Sequence, residues 1–91
     1  MAIRVEFYGI PRRRAGTSEA SVEVLGGGAA LRDVLREIGR RFPELAAECF
    51  DGDRLREGFA LNVGGQQFVR DFDTRLRDED SILLLSADAG G

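Results

Sequence analysis

The chain of 91 residues carries 16 Asp/Glu against 13 basic residues, every one of them Arg, for a formal charge of −3, with one Cys and no His, Lys or Trp. That inventory excludes Ser-His and Cys-His nucleophile pairs, lysine Schiff bases, a phosphate-loop lysine and a four-ligand structural zinc site. Chemistry is left to carboxylates, hydroxyls, backbone groups or the chain ends.

The length fits one domain, and 43% apolar with 32% charged residues is an ordinary globular composition. The longest apolar run, Ile82 to Leu85, falls far short of the ~20 residues of a membrane span, so no membrane association is expected. No cationic segment followed by an apolar stretch opens the chain, which predicts no leader. The lone Cys fits a reducing cytoplasm, and the acidic balance argues against a nucleic-acid binder.

From Ala2 to Tyr8, Ile3, Val5 and Phe7 alternate with Arg4, Glu6 and Tyr8, the period-two pattern of a strand. Gly9, Pro11, Arg12-Arg13-Arg14 and Gly16 read as a loop, and Ala20 to Leu25 as a second strand closing a hairpin. After Gly26-Gly27-Gly28, the residues Leu31, Val34, Leu35, Ile38 and Phe42 form one apolar stripe of a helix that Pro43 should stop. Within it, Glu37 and Arg41 are placed for an i,i+4 pair. Leu45 to Phe50 reads as a short turn folding back on the core, and Asp51 to Glu57 as a charged connection. Phe59 to Val63 is a third strand, Gly64-Gly65 a two-residue hairpin signal, and Gln67 to Val69 a short return strand. Asp71 to Asp80 reads as a loop, and Ile82 to Leu85 as a last strand, apolar on both faces and hence central. The order β-β-α-β-β-β predicts an α+β roll: one long helix packed on one face of a mixed four- to five-stranded sheet. The domain is expected over 1–86, with 87–91 as a flexible tail.

Several motifs have simple structural readings. The triple glycine departs from G-x-G-x-x-G and has no following Lys, so a strand-to-helix connection is preferred to a phosphate cradle. The acidic clusters at 51–53, 71–73 and 78–80 miss the EF-hand pattern, because Leu55 and Arg75 stand where oxygen ligands are required, so no metal site is expected. Paired carboxylates have no cleft to occupy, the Arg12-Arg13-Arg14 run reads as solvated, and Cys49 reads as a small core residue. The tail Ser86-Ala87-Asp88-Ala89-Gly90-Gly91 is different. It leaves directly from the last strand, and from Ala87 onward it can extend about 17 Å. Gly90 and Gly91, lacking Cβ atoms, can thread a narrow channel, and the group delivered is the Gly91 carboxylate.

With these residues in order, the chain resembles the ubiquitin-like β-grasp sulfur carriers. These are the small subunit of molybdopterin synthase, the thiamine-biosynthesis sulfur carrier and the carriers that feed cysteine synthesis. The resemblance rests on Val5-Glu6-Phe7-Tyr8 with Arg12 and Gly16-Thr17, Leu31-Arg32-Asp33-Val34-Leu35, Leu61-Asn62-Val63 and the terminal Gly-Gly. Asp78-Glu79-Asp80-Ser81-Ile82 resembles a D-G-D-x-V run in which Glu79 replaces Gly. The ending Ala89-Gly90-Gly91 looks closer to carriers of cysteine synthesis and to archaeal-type modifiers than to the Pro-Pro-Val-Ser/Thr-Gly-Gly of many molybdopterin synthase subunits.

The resemblance implies that Gly91 is adenylated by an activating enzyme using ATP and magnesium. A persulfide-bearing donor then converts it to a thiocarboxylate for an acceptor synthase. The chain would hold no permanent cofactor and would not be catalytic alone. Tyr8, Leu83 and Leu85 on the sheet face away from the helix, with Asp88 and Ala89, are the expected partner contacts. The alternatives are a ubiquitin-like modifier conjugated through Gly91, or a non-catalytic interaction module. Absence of Lys would leave no side-chain amine to capture an activated Gly91, although a GC-rich genome is the simpler account of it.

Overall fold

The computed structural model describes residues 1–25 and 29–87 of the chain. The opening alternation forms β1 (Ala2–Tyr8), with Ile3, Val5 and Phe7 buried on one side. The segment read as a loop is instead a short helix, α1 (Ile10–Ala15). Pro11 supplies a preset φ in its first turn, and Gly16 ends it in the left-handed conformation at φ 75°. The second strand, β2 (Glu19–Glu23), is shifted by a residue and stops before Val24 and Leu25.

Ala29–Ala30 forms a two-residue strand, β3, that leads into the long helix α2 (Leu31–Arg41). Leu31, Val34, Leu35 and Ile38 are fully buried, as their spacing predicts. Glu37 pairs with Arg40 rather than Arg41, whose guanidinium crosses to the carbonyl of Ser21 on β2. Pro43 does end α2, but it also starts α3 (Pro43–Cys49), where a turn was expected. Proline is tolerated in a first helical turn because its missing N–H has no intrahelical acceptor there. Phe42 at the elbow meets Phe7 edge-on, with ring centres 5.4 Å apart.

The charged connection contains a small hairpin, β4 (Phe50–Asp51) and β5 (Arg54–Leu55). The strand β6 (Phe59–Val63) turns into β7 (Gln67–Phe68) through Gly64, Gly65 and Gln66, a three-residue loop in place of the expected two. The 71–80 segment is not wholly loop, because β8 (Arg75–Leu76) pairs with β3. Carbonyls of this segment cap the long helix: Leu31 N–H donates to Thr74 O at 2.8 Å and Arg32 N–H to Phe72 O at 2.9 Å. The Arg32 side chain adds ion pairs to Asp53 and Asp73.

The last strand, β9 (Ser81–Ser86), is central in a five-stranded mixed sheet of order β2-β1-β9-β6-β7. It runs parallel to β1 and antiparallel to β6. Ile82 and Leu84 are fully buried beneath α2, while Leu83 and Leu85 are half-buried on the opposite face. The architecture is therefore the expected β-grasp roll.

Truncating Leu84 to Ala should cost about 2–5 kcal/mol in urea unfolding, against less than about 1 kcal/mol for Leu83→Ala. Glu79, in the turn before β9, has φ 72°, a left-handed backbone that favours glycine. Glu79→Gly should therefore raise stability by about 0.5–1 kcal/mol in the same measurement, and a loss would show that the side chain itself stabilises the turn.

Candidate functional site

The outer face of the sheet divides into a charged and an apolar half. On the β1–β2 side, Arg4 reaches both Glu6 (3.0 Å) and Glu19 (2.8 Å). On the β9–β6–β7 side the register alternates apolar side chains outward. Leu85 lies between Tyr8 of β1 and Ala60 of β6, and Leu83 between Glu6 and Asn62. Asn62 is in turn opposite Phe68 on the edge strand. Tyr8 and Phe68 are 42% and 64% exposed, so this apolar surface is open to solvent at both ends.

Tyr8, Leu83 and Leu85 are thus brought together as the alternation predicts. Asp88, Ala89, Gly90 and Gly91 lie outside the described residues. Sequence reasoning missed Ala60 and Phe68, which share the same face. Their signal was the pairing of the Gln67–Val69 strand with Leu61-Asn62-Val63, whose register a glycine-rich turn leaves open. Asn62 also belongs to this face. It is only 8% exposed, and its Oδ1 has no hydrogen-bond partner among the described residues.

Beyond Leu85 the chain is held at two points. Ser86 is buried and its Oγ accepts the Ile10 N–H at 3.5 Å, the long limit of such a bond. The Ala87 N–H donates to Gly58 O at 2.7 Å. The root of the tail therefore leaves between the start of α1 and the loop before β6.

Other reactive groups do not converge here. Cys49 is fully buried, and burial first, then the Glu48 carboxylate, push its thiol up to about 11 against the opposing pull of Arg14. It stays a thiol at neutral pH and is no nucleophile. The neutral thiol is favoured in the fold, so this contribution to stability is lost as pH rises from the ordinary value of 9.0 through about 11. No cluster of three or more His, Cys, Asp or Glu among the described residues could hold a metal ion, and no helix among them is long and apolar enough to cross a membrane. Arg12-Arg13-Arg14 lies exposed on α1, with Arg14 bound to Glu48 at 2.6 Å.

With this geometry in place, the ThiS family model matches residues 5–91. No curated protein matches. Among solved structures, the putative molybdopterin converting factor subunit 1 of Pyrococcus furiosus is 27% identical, with a TM-score of 0.77 over 94% of this chain and 97% of that one. SAMP1 of Haloferax volcanii shares the fold at a TM-score of 0.82, with 18% identity over the whole of both chains. A chain of the Amycolatopsis orientalis BexX/CysO complex shares it at 0.72, with 23% identity over 98% of this chain and 99% of that one.

The Tyr8 hydroxyl donates to Glu6 Oε2 at 3.2 Å, and this bond, followed by the Glu6 charge, holds its pKa above the ordinary 10.0 against the pull of Arg4 and Arg12. The neutral phenol is favoured in the fold, so the contact is complete below the ordinary value and is lost as pH rises through the raised one. Phenolate absorbance of the native protein should therefore titrate above 10.0, and Glu6→Gln should bring it back down. A native midpoint at or below the ordinary value would contradict the Tyr8–Glu6 contact.

Proposed function

Because the chain belongs to the ThiS family, a family of ubiquitin-like sulfur carriers and modifiers, we propose that it carries sulfur as a thiocarboxylate on Gly91. The family match runs through to Gly91, and the tail root continues the central, most buried strand of the sheet. That continuity is the observation that carries the reading: the chain leaves the central strand through Ser86 and Ala87 at the margin of an apolar face, from which a glycine-ended arm would reach a partner.

The chemistry needs no acid or base from this chain. A carboxylate is a poor electrophile, so an activating enzyme joins a Gly91 carboxylate oxygen to the α-phosphorus of ATP, with magnesium on the phosphates, and pyrophosphate leaves. The terminal sulfur of a donor persulfide then attacks the acyl carbon, and AMP leaves. A thiol cleaves the resulting acyl disulfide, itself becoming disulfide-bonded to the donor, and the thiocarboxylate remains on Gly91. Its sulfur is the nucleophile passed to an acceptor synthase.

Tyr8, Leu83 and Leu85 would seat the activating enzyme and then the acceptor, with Ala60 and Phe68 extending the contact. Asp88 and Ala89 would line the channel that admits Gly90 and Gly91. The acceptor would belong to molybdopterin, thiamine or cysteine synthesis, the pathways served by the carriers this chain resembles. The reducing cytoplasm fits the thiocarboxylate and the buried free thiol of Cys49.

Intact-mass measurement on protein purified from its source should find a species about 16 Da heavier, sulfur having replaced oxygen. Deleting Gly91 should abolish that species and leave the unfolding transition unchanged. Leu85→Arg should lower its yield by about tenfold or more with the fold intact. Sulfur transfer retained without Gly91 would sink the proposal, and isopeptide conjugates in place of the heavier species would assign the chain as a modifier.

A further inference from the structure

A groove of about 400 Å³ opens between the segment from Arg54 to Leu61 and the segment from Phe68 to Phe72. Its apolar lining includes Leu55, Phe59 and Phe72, over the buried Leu61 and Val69. Three guanidinium-bearing residues stand along it, Arg54, Arg56 and Arg70, against one acid, Glu57. Arg56 is anchored by its Nε–H to Phe50 O at 2.9 Å. Arg54 and Arg70 are exposed and make no ion pair with any described residue. The residues lining the groove thus carry more positive than negative charge, although the chain's net charge is −3 and Asp51, Asp53, Asp71 and Asp73 lie in or beside the two segments.

The groove is continuous with the apolar sheet face, because Ala60 and Phe68 belong to both. Gly58, whose carbonyl holds the Ala87 amide, also lines it. We propose that this groove binds an acidic segment of a partner protein that carries an aromatic or leucine side chain. The carboxylates of that segment would meet the Arg54 and Arg70 guanidiniums, and its apolar side chain would pack against Phe59 and Phe72. A guanidinium presents paired donors that match a carboxylate, and an apolar floor raises the strength of such bonds by excluding water. The arrangement suits a peptide better than a nucleic acid, whose binding draws on a longer basic track than three guanidiniums in an acidic protein. The proposal goes beyond the carrier reading, since binding here involves no atom of Gly91.

The test is a titration of the isotope-labelled full chain, followed by amide chemical shifts. The probe is an acetylated synthetic peptide that alternates Asp or Glu with Phe and Leu. Shifts should map to Leu55, Gly58, Phe68 and Arg70, and affinity should fall as salt screens the charges. The double variant Arg54→Glu/Arg70→Glu should bind about tenfold or more weakly, with the remaining amide spectrum superposing on the native one. Arg54→Gln/Arg70→Gln serves the same purpose if the reversed charges disturb folding. Deleting Gly91 should leave peptide affinity unchanged, so the outcome is independent of whether a thiocarboxylate forms. Equal binding by a Lys-for-acid peptide or by oligo-thymidine would overturn the proposal. So would unchanged affinity in the Arg variants, shifts confined to other surfaces, or self-association of the free chain through this groove.

Discussion

The pairing of β9 on both of its edges is the constraint on which the other features depend. Its parallel ladder with β1 and antiparallel ladder with β6 satisfy its backbone along the length of the strand, so Ile82 and Leu84 can be withdrawn from water beneath α2. Alternation then obliges Leu83 and Leu85 to face the other way. An apolar outer surface is thus a geometric by-product of placing the most apolar strand at the centre of a sheet covered on one side. The parallel sense brings the ends of β1 and β9 to the same margin, where Tyr8, Leu85 and the root of the tail meet.

The long helix is fastened to this sheet by more than its apolar stripe. Its first amides are capped by carbonyls of the segment before β8, and Arg32 ties it to Asp53 and Asp73. Two loops distant in sequence are therefore held by one helix end, and each adjoins one wall of the Arg-lined groove. The polar half of the outer face is likewise built from neighbours across strands, Arg4 with Glu6 and Glu19. Arg4 is closed into an ion network, whereas Arg54 and Arg70 make no ion pair among the described residues, so the two halves of the surface differ in how far their charges are satisfied internally.

How much of this was legible in the sequence depended on the range of the interaction responsible. Strands β1 and β6 and helix α2 were readable because their burial follows a local period, and Pro43 marked the end of α2 by its own chemistry. Helix α1 has no apolar period to mark it, because Arg12-Arg13-Arg14 fills its middle, and only Pro11 near its start and Gly16 at its end signal it. The two-residue strands β3 and β8 carry no period at all and exist because distant backbone finds a partner. The site was partly readable for the same reason: Tyr8, Leu83 and Leu85 follow from alternation alone. Phe68 and Ala60 needed the hairpin register, and the groove needed the fold.

The parallel arrangement of β1 and β9 also has a mechanical meaning. Met1 stands at the start of one strand and the tail continues from the far end of its neighbour. Tension between the chain's two ends would therefore load their shared hydrogen bonds in shear, all together, instead of peeling them one at a time. A pull on the Ala87 end of β9 against Met1 meets the resistance of the whole β1–β9 ladder at once.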